Sequence, residues 1–168
     1  MSRSVSGAPP PAPHPVTLFD LGSTSGLSDA VRAFRLILAA GQLLRTRMDA
    51  RLRPDELTTQ QAVVLTAITA LDGPSVSDVA AAIGSTRQNV TQLVTALQRK
   101  GMLRVDDDPS DSRRRVLTTT RLSDTYWEQR NAGDYAALEG WFEMLDPEEL
   151  RELCDVLQRL VSGGQSEG

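Results

Sequence analysis

The fold of this chain is decided by residues 84–118, which read GSTRQNVTQLVTALQRKGMLRVDDDPSDSRRRVLT. Apolar residues recur at helical spacing from Val90 to Leu97, and Gly101 ends that pattern. Residues 102–105 and 115–119 read as two strands, and residues 108–111, with proline in the second position, form a good turn between them. The stretch therefore predicts a helix followed at once by a β-hairpin with an arginine-rich tip.

Four helices are predicted up to this hairpin, each from a capping residue at its start. The capping residues are Ser28, Thr58, Ser75 and Ser85. The last three are followed three residues later by Gln61, Asp78 and Gln88, as in a capping box. The first helix ends before Pro54, and glycines end the next two.

Two more helices are predicted after the hairpin. The fifth covers about residues 122–145, with a heptad-like apolar seam of Tyr135, Leu138, Phe142 and Leu145. The sixth starts at Asp146, which precedes a proline and two glutamates, as helix starts often do. Its apolar stripe, which we expect to be buried, is made of Leu150, Leu153, Cys154, Leu157, Leu160 and Val161.

This order predicts a mainly α fold with a small β-wing, a winged helix-turn-helix core over about residues 55–120. The outer helices, over about 27–52 and 122–162, carry more apolar surface than that core can cover. Because two-fold homodimers are the commonest oligomers, we expect a second copy of the chain to cover them. Residues 1–26, rich in Pro, Ser and Gly, and residues 163–168 are predicted to be disordered tails.

Composition excludes several classes of protein. The 168 residues suffice for one domain with a core, and no apolar run approaches the length of a bilayer span. With no secretory leader pattern and a single cysteine, Cys154, we expect a cytoplasmic protein. The only histidine, His14, lies in the predicted tail, so no metal site, cofactor or catalytic constellation is expected, and we predict that the chain is not an enzyme.

Charge is distributed unevenly along the chain. The whole chain has a net charge of −4. Residues 84–121 contain eight basic and four acidic side chains, a net charge of +4, which leaves −8 for the remainder. A basic patch on an acidic body is typical of a protein that binds nucleic acid.

The face of the fourth helix opposite its apolar stripe points to DNA. It presents amides, hydroxyls and one arginine, and residues 85–101 contain no acid that would repel phosphate. Such side chains can bond to base edges in a major groove. The candidate residues are Ser85, Thr86, Arg87, Gln88, Asn89, Thr91, Gln92 and Thr95, with Ser75 at the start of the third helix. The same face could also be a neutral polar surface without a partner.

The hairpin supplies the second candidate element. Asp111 and Arg113 could form a surface salt bridge, or Asp111 could orient an arginine that enters a narrow minor groove. Arg114 and Arg115 should point to opposite sides of the returning strand. One of them is then expected to face the groove or DNA backbone and the other the body of the protein, and packing against the helix ends is an equal alternative for Arg115.

These motifs, in their order and spacing over residues 27–162, resemble the MarR family of winged-helix transcriptional regulators. The resemblance is carried by 57–61 (LTTQQ), 79–80 (VA), 83–94 (IGSTRQNVTQLV), 100–101 (KG), 108–113 (DPSDSR), 117–118 (LT) and 145–150 (LDPEEL). It implies a homodimer whose N- and C-terminal helices interlock, with Arg113 at the wing tip. It also implies that the residues in the major groove are Arg87, Gln88, Asn89, Thr91 and Gln92. It also implies repression of nearby genes, relieved by an aromatic or phenolic effector or by oxidation. Two residues depart from the pattern. Ser112 stands where the family often has arginine, so DNA binding by the wing is expected to depend on Arg113 and Arg114, and Arg121 stands where the family often has glycine.

The effector site is the least determined part of the sequence. Phe34, Met48, Tyr126 and Trp127 could line a pocket between the dimer helices and the DNA-binding lobe, although apolar residues at helical spacing more often belong to the core. We do not expect redox sensing, because thiol-sensing members of the family usually have a cysteine near the first helix and this chain has none there. The predicted function is a regulator that binds double-stranded DNA as a homodimer at a near-palindromic operator; the alternative is a winged-helix module that binds protein only.

Overall fold

The computed structural model of the chain describes residues 27–108 and 111–164. Six α-helices and one two-stranded sheet follow each other in these ranges: α1 Asp29–Leu52, α2 Thr59–Leu71, α3 Val76–Ala82, α4 Arg87–Arg99, β1 Leu103–Asp108, β2 Asp111–Thr119, α5 Arg121–Trp141 and α6 Pro147–Gly164. A short 3-10 turn, Arg53–Asp55, connects α1 to the segment before α2. The mainly helical fold with a β-wing that the sequence predicts is confirmed.

The helix starts follow the capping signals closely. Ser28 caps α1, and Thr58 and Gln61 form the reciprocal bonds of a capping box at α2. Asp146 Oδ1 accepts hydrogen bonds from the amides of Glu148 and Glu149 at the start of α6. Local polar side chains satisfy the first amides of each of these helices, which is why the sequence alone locates them.

Two compact units make up the chain, with the boundary after Ala62. In the first unit, Leu52 and Leu57 are buried. In the second, α3 packs against α4 and α4 against β1, around a core of Val64, Leu65, Ile68, Val79, Val90, Val94, Leu97, Leu103 and Leu117. The apolar stripe of α4 thus lies in a core, and its polar side chains are left on the surface.

The wing is an antiparallel hairpin in which Leu103 pairs with Thr119, Val105 with Leu117 and Asp107 with Arg115. A register shift follows Asp107, and Asp108 pairs with Asp111. Both strands are longer than predicted, since pairing extends to the turn. Residues 109 and 110 of the predicted turn lie outside the described residues.

The prediction that Ser85 caps α4 is wrong by one residue. Thr86 has extended backbone angles, and its hydroxyl accepts a hydrogen bond from the amide of Asn89 at 3.2 Å. The Ser85 amide instead donates to the carbonyl of Ala80 at 2.9 Å and so closes the end of α3. Two capping residues stand side by side, and the preceding helix decides which of them is used.

The predicted extent of the fifth helix is also wrong. α5 ends at Trp141, and Phe142 and Leu145 lie in the following turn, so the expected seam does not continue along one helix. Tyr135, its first member, is 60% exposed. Cys154, expected on a buried stripe, is exposed, as are Leu157, Leu160 and Val161 of the same stripe, while Leu150 and Leu153 are half-buried.

The ends of the chain are described only in part. Residues 1–26 and 165–168, in the two predicted tails, lie outside the described residues, and α6 runs to Gly164, two residues past the predicted boundary. Across residues 27–108 and 111–164, no single helix is long and apolar enough to cross a membrane; α2 and α3 reach that length and apolarity only as a pair bent by 108°.

Candidate nucleic-acid interface

The outer face of α4 has two neighbouring rows of polar side chains. Arg87, Thr91 and Thr95 follow each other at four-residue intervals, and Gln88 and Gln92 form the adjacent row. All five are exposed, opposite the buried Val90, Val94 and Leu97. This face has hydrogen-bonding groups without a carboxylate.

Within that face the long side chains differ from the hydroxyls. The threonines bond back to their own helix: Thr91 Oγ1 donates to the carbonyl of Arg87 at 2.8 Å, and Thr95 Oγ1 to that of Thr91 at 2.9 Å. Arg87, Gln88 and Gln92 have no side-chain partner among the described residues. Their donors and acceptors are available to another molecule.

The start of α4 is fixed by a small polar cluster. Asn89 is half-buried, and its side-chain Nδ2 donates to Ser85 Oγ at 2.9 Å, while its backbone amide bonds to Thr86. Three of the predicted DNA-binding residues, Ser85, Thr86 and Asn89, therefore bond to each other. Thr86 stays exposed, where its hydroxyl and the first amides of the helix can face an anion.

Ser75 occupies the corresponding place on α3. Its hydroxyl and its amide both donate to Asp78 Oδ2 at 2.8 Å, and its hydroxyl accepts from the Asp78 amide at 3.3 Å. The Ser75 amide, followed by the Ser75 hydroxyl and then Arg114, holds the pKa of the Asp78 carboxyl below its ordinary value. Ser75 is thus a helix cap first, with its hydroxyl proton committed to Asp78.

The three consecutive wing arginines have different surroundings. Asp111 Oδ1 accepts a hydrogen bond from the backbone amide of Arg113 at 3.0 Å. The surface salt bridge between their side chains, one of the two alternatives, is not formed among the described residues. The exposed guanidinium of Arg113 faces no carboxylate in the part of the chain that the structure describes. Asp111 shapes the backbone of the wing tip and leaves the Arg113 head free.

Arg114 and Arg115 contact different carboxylates, in keeping with the alternation of side chains along a strand. Arg114 contacts Asp78 at 3.1 Å and Asp108 at 3.2 Å, and Arg115 contacts Asp107 at 2.6 Å on the neighbouring strand. Arg114 is therefore the one that turns to the body of the protein. Arg115 pairs along the hairpin, which differs from packing against the helix ends.

The four predicted effector residues lie in the two separate units. On α1, Phe34 is 63% exposed and Met48 is half-buried. They are 14 residues apart on one helix, about 21 Å along its axis, so one small molecule cannot contact both in a single chain. On α5, the rings of Tyr126 and Trp127 meet edge to face with centroids 4.9 Å apart. Within its own unit, each pair is thus different: Tyr126 and Trp127 are in contact, and Phe34 and Met48 are not.

Sequence reasoning missed a charged pair beside these two rings. Arg130 Nε donates to Asp134 Oδ2 at 2.8 Å, with 19% and 8% of the two side chains exposed, and the Arg130 guanidinium lies 5.7 Å from the centre of the Tyr126 ring. The four-residue spacing of opposite charges was the available signal. Ser123 lies one helical turn before Tyr126, and its buried Oγ has no hydrogen-bond partner among the described atoms.

Sequence reasoning also missed a pair of hydrogen bonds that joins two helices. Asp49 Oδ1, on α1, accepts hydrogen bonds from both the amide and the hydroxyl of Thr59, each at 2.7 Å. No local motif indicates this pair, because ten residues separate its members. Among residues 27–108 and 111–164, no group of three or more His, Cys, Asp and Glu is placed to hold a metal ion.

Comparison with known sequences gives two matches. A family model described as MarR family matches residues 56–114. The transcriptional activatory protein BadR of Rhodopseudomonas palustris is 32% identical over 145 residues, which cover 80% of this chain and 82% of BadR.

Comparison with solved structures finds the same fold. The S. aureus MepR–DNA complex matches with a TM-score of 0.68 and 21% identity, over 81% of this chain and 99% of MepR. Bordetella bronchiseptica BpsR, in a structure described as the mechanism for regulation of its DNA binding by 6-hydroxynicotinic acid, matches with a TM-score of 0.71 and 22% identity, over 80% and 96% of the two chains. At these identities the two structures support the fold and nothing finer.

Proposed function

Because this chain belongs to the MarR family of winged-helix transcriptional regulators, we propose that it binds double-stranded DNA sequence-specifically as a homodimer, through α4 and the wing. The observation that carries the proposal is the outer face of α4. Arg87, Gln88 and Gln92 extend from it without partners among the described residues, and no carboxylate lies on that helix. Arginine suits guanine and glutamine suits adenine in the major groove.

The residues proposed to contact DNA have three roles. Base edges are read by Arg87, Gln88, Thr91, Gln92 and Thr95. Phosphate is bound at the start of α4, by Thr86 with the first amides of that helix. Ser85 and Asn89 hold the first turn of α4 in place, and Ser75, bonded to Asp78, holds the start of α3. Arg113, whose backbone Asp111 fixes, enters the minor groove. The S. aureus MepR–DNA complex, which has the same fold, is in keeping with this use of the fold.

The proposed homodimer rests on apolar side chains that one chain leaves exposed. α1 exposes Val31, Phe34, Leu36, Ile37, Leu38 and Leu43, and α6 exposes Val156, Leu157, Leu160 and Val161. A monomer rarely exposes contiguous apolar surface on this scale. A second copy would cover both faces and would place two copies of α4 for successive major grooves, about 34–36 Å apart. The operator should then be a near-palindrome.

We propose repression as the direction of regulation, through an operator that overlaps a promoter. BadR is described as an activatory protein, so activation is the contrary outcome that a reporter must be able to register. A small aromatic or phenolic effector is proposed to release the DNA, as the description of BpsR suggests for that protein. Tyr126 and Trp127, whose rings meet edge to face, are its proposed contacts.

The deciding experiment is binding-site selection from random duplex DNA with the purified full chain. Fluorescence anisotropy on the selected sequence and on a scrambled duplex follows, across a salt series. We expect a near-palindromic consensus, bound at least about a thousandfold more tightly than the scrambled duplex. If no consensus emerges and both duplexes bind equally weakly and with the same salt sensitivity, the chain has only a basic patch that binds DNA non-specifically. That result would favour a module that binds protein.

A further inference from the structure

We propose that Arg114 is a positioning residue, which fixes the wing to the start of α3 so that Arg113 can reach the DNA. The inference deepens the proposed function and rests on it. It runs against the simple expectation that consecutive arginines at a wing tip all bind the DNA backbone. The contacts of each arginine show which one is held by carboxylates and which one is available to DNA.

The Arg114 guanidinium joins three elements. Its Nη2 lies 3.1 Å from Asp78 Oδ2 on α3, and its Nη1 lies 3.2 Å from Asp108 Oδ2 at the end of β1. Arg114 itself is on β2, 36 residues from Asp78 in sequence. The planar fork of arginine suits such a span because its donors point to two acceptors at once.

The carboxylate that receives Arg114 is itself held in place. Asp78 Oδ2 also accepts from the amide and the hydroxyl of Ser75, both at 2.8 Å. These bonds, the amide first, lower the pKa of Asp78, so the group is charged at neutral pH. Immediately before Ser75, the carbonyl of Pro74 accepts the Leu117 amide at 2.8 Å. The returning strand is thus tied to the start of α3 at two places, Leu117 and Arg114.

The same contacts disfavour direct use of Arg114 on DNA. To bind a phosphate, Arg114 would leave Asp78 and Asp108, and both carboxylates would repel that phosphate. Arg115 has Asp107 beside it in the same way, whereas Arg113 faces no carboxylate among the described residues. Among the arginines on the two wing strands, only Arg113 has a guanidinium without a carboxylate contact among the described residues.

The variant Asp78→Asn should change DNA affinity in opposite directions, depending on whether Arg114 binds phosphate or positions the wing. If Arg114 binds phosphate and Asp78 competes for it, removing the Asp78 charge frees Arg114 and tightens DNA binding. If Arg114 positions the wing, the same change loosens the wing and weakens binding. Asparagine keeps an acceptor for the Ser75 amide, so the α3 cap is retained, and circular dichroism with thermal unfolding checks this.

The matched control is Asp106→Asn. Asp106 is another wing carboxylate, 3.8 Å from Arg104, and its loss changes the net charge by the same amount without touching α3. We expect Asp106→Asn to tighten DNA binding slightly through charge alone. Asp78→Asn and Arg114→Ala should instead weaken specific binding roughly three- to tenfold, and Arg114→Lys should restore part of the loss.

A double-mutant cycle tests the dependence on Arg113. In an Arg113→Ala background, Arg114→Ala should have little further effect, because the group it positions is gone. Full additivity of the two losses, or tighter binding by Asp78→Asn than by Asp106→Asn, would overturn the proposal in favour of direct contact.

A measurement without DNA separates this proposal from the proposed function. Amide hydrogen exchange of Leu117 should be faster in Asp78→Asn and Arg114→Ala than in the wild type and in Asp106→Asn, because the tether of β2 to Pro74 opens more often. If the wild type selects no DNA sequence, the DNA-binding function fails while this result still decides the tether. Unchanged exchange in both variants would overturn the tether itself.

Discussion

Asp49 and Thr59 join the end of α1 to the start of α2: the Thr59 amide and hydroxyl each lie 2.7 Å from Asp49 Oδ1. Thr59 is the first residue of α2, so its amide has no acceptor within the helix. The amide bond first, and then the hydroxyl bond, lower the pKa of Asp49 below its ordinary value. A charge on α1 thus completes the start of the next helix.

We expect Asp49→Asn to lower the free energy of unfolding at pH 7 by about 1 kcal/mol. The folded-state pKa lies below the unfolded value, so this stability is complete above about pH 4 and is lost as the pH falls through the folded-state pKa. Urea unfolding between pH 7 and pH 2.5 measures it.

The control for this prediction is Glu128→Gln, which removes an exposed carboxylate of α5. It should leave the unfolding free energy at pH 7 within experimental error. The difference between wild type and Asp49→Asn should shrink as the pH falls below about 4. A constant difference at every pH would mean that the charge of Asp49 is not what stabilises the α2 start.

Arg87→Ala should cost about 1–3 kcal/mol of specific DNA binding per subunit and should relax the preference at one base of each half-site. The reason is the free Arg87 head on the first turn of α4, where a fork can bond to both acceptors of guanine. Selection from random DNA measures the preference, and anisotropy measures the affinity.

Arg99→Ala is the matched control, since it removes the same charge from the last turn of α4. It should change affinity modestly and leave the consensus unaltered. If the consensus of Arg87→Ala matched that of the wild type, the placement of α4 in the major groove would be untenable.

Arg113→Ala should weaken binding to the consensus and the scrambled duplex alike. It should also reduce the slope of log affinity against log salt by about 1 per subunit, the change expected when DNA loses one cationic contact. Arg115→Ala should reduce the slope less, because Arg115 already pairs with Asp107. Equal slopes for the two variants would show that the pairing with Asp107 does not matter on DNA.

Local capping made much of this fold predictable. Ser75 with Asp78 and Thr58 with Gln61 lie within one helical turn, so the sequence contains both partners of each bond. The cap of α4 was misplaced because Ser85 and Thr86 are chemically equivalent there, and the Ala80 carbonyl, supplied by α3, decides between them. A capping bond between residues within four positions of each other can be predicted from the sequence. A bond to an acceptor that a neighbouring helix supplies cannot.

The candidate site divides in the same way. The polar face of α4 follows from the position of its apolar stripe, so Arg87 and Gln92 could be placed on the surface without a structure. The partner of Arg114 could not, because Asp78 lies 36 residues away and is brought near only when β2 returns along the start of α3. Consecutive arginines look alike in a sequence and differ only through such distant carboxylates.

Leu160→Glu should convert the proposed homodimer into a monomer. Leu160 is 55% exposed in the single chain, on the stripe proposed to face a second copy. A two-fold axis repeats the change, so losing about 1.5–3 kcal/mol of burial per side chain weakens association by about 3–6 kcal/mol. Sedimentation equilibrium measures this, and Gln158→Glu, the same new charge two residues away, should leave the dimer intact. A monomeric wild type would remove the basis for a palindromic operator.

The last prediction concerns the effector and uses the two tryptophans of the chain, Trp127 and Trp141. If an aromatic acid binds beside Tyr126 and Trp127, a panel of benzoates, hydroxybenzoates and 6-hydroxynicotinic acid should include a compound that quenches tryptophan fluorescence. The same compound should release the selected DNA at the same concentration, because an effector that releases DNA must bind the free form more tightly. Trp141→Phe should retain the quenching and Trp127→Phe should lose it. Quenching that survives in Trp127→Phe would place the ligand elsewhere, and Tyr126 and Trp127 would then be packing residues of α5.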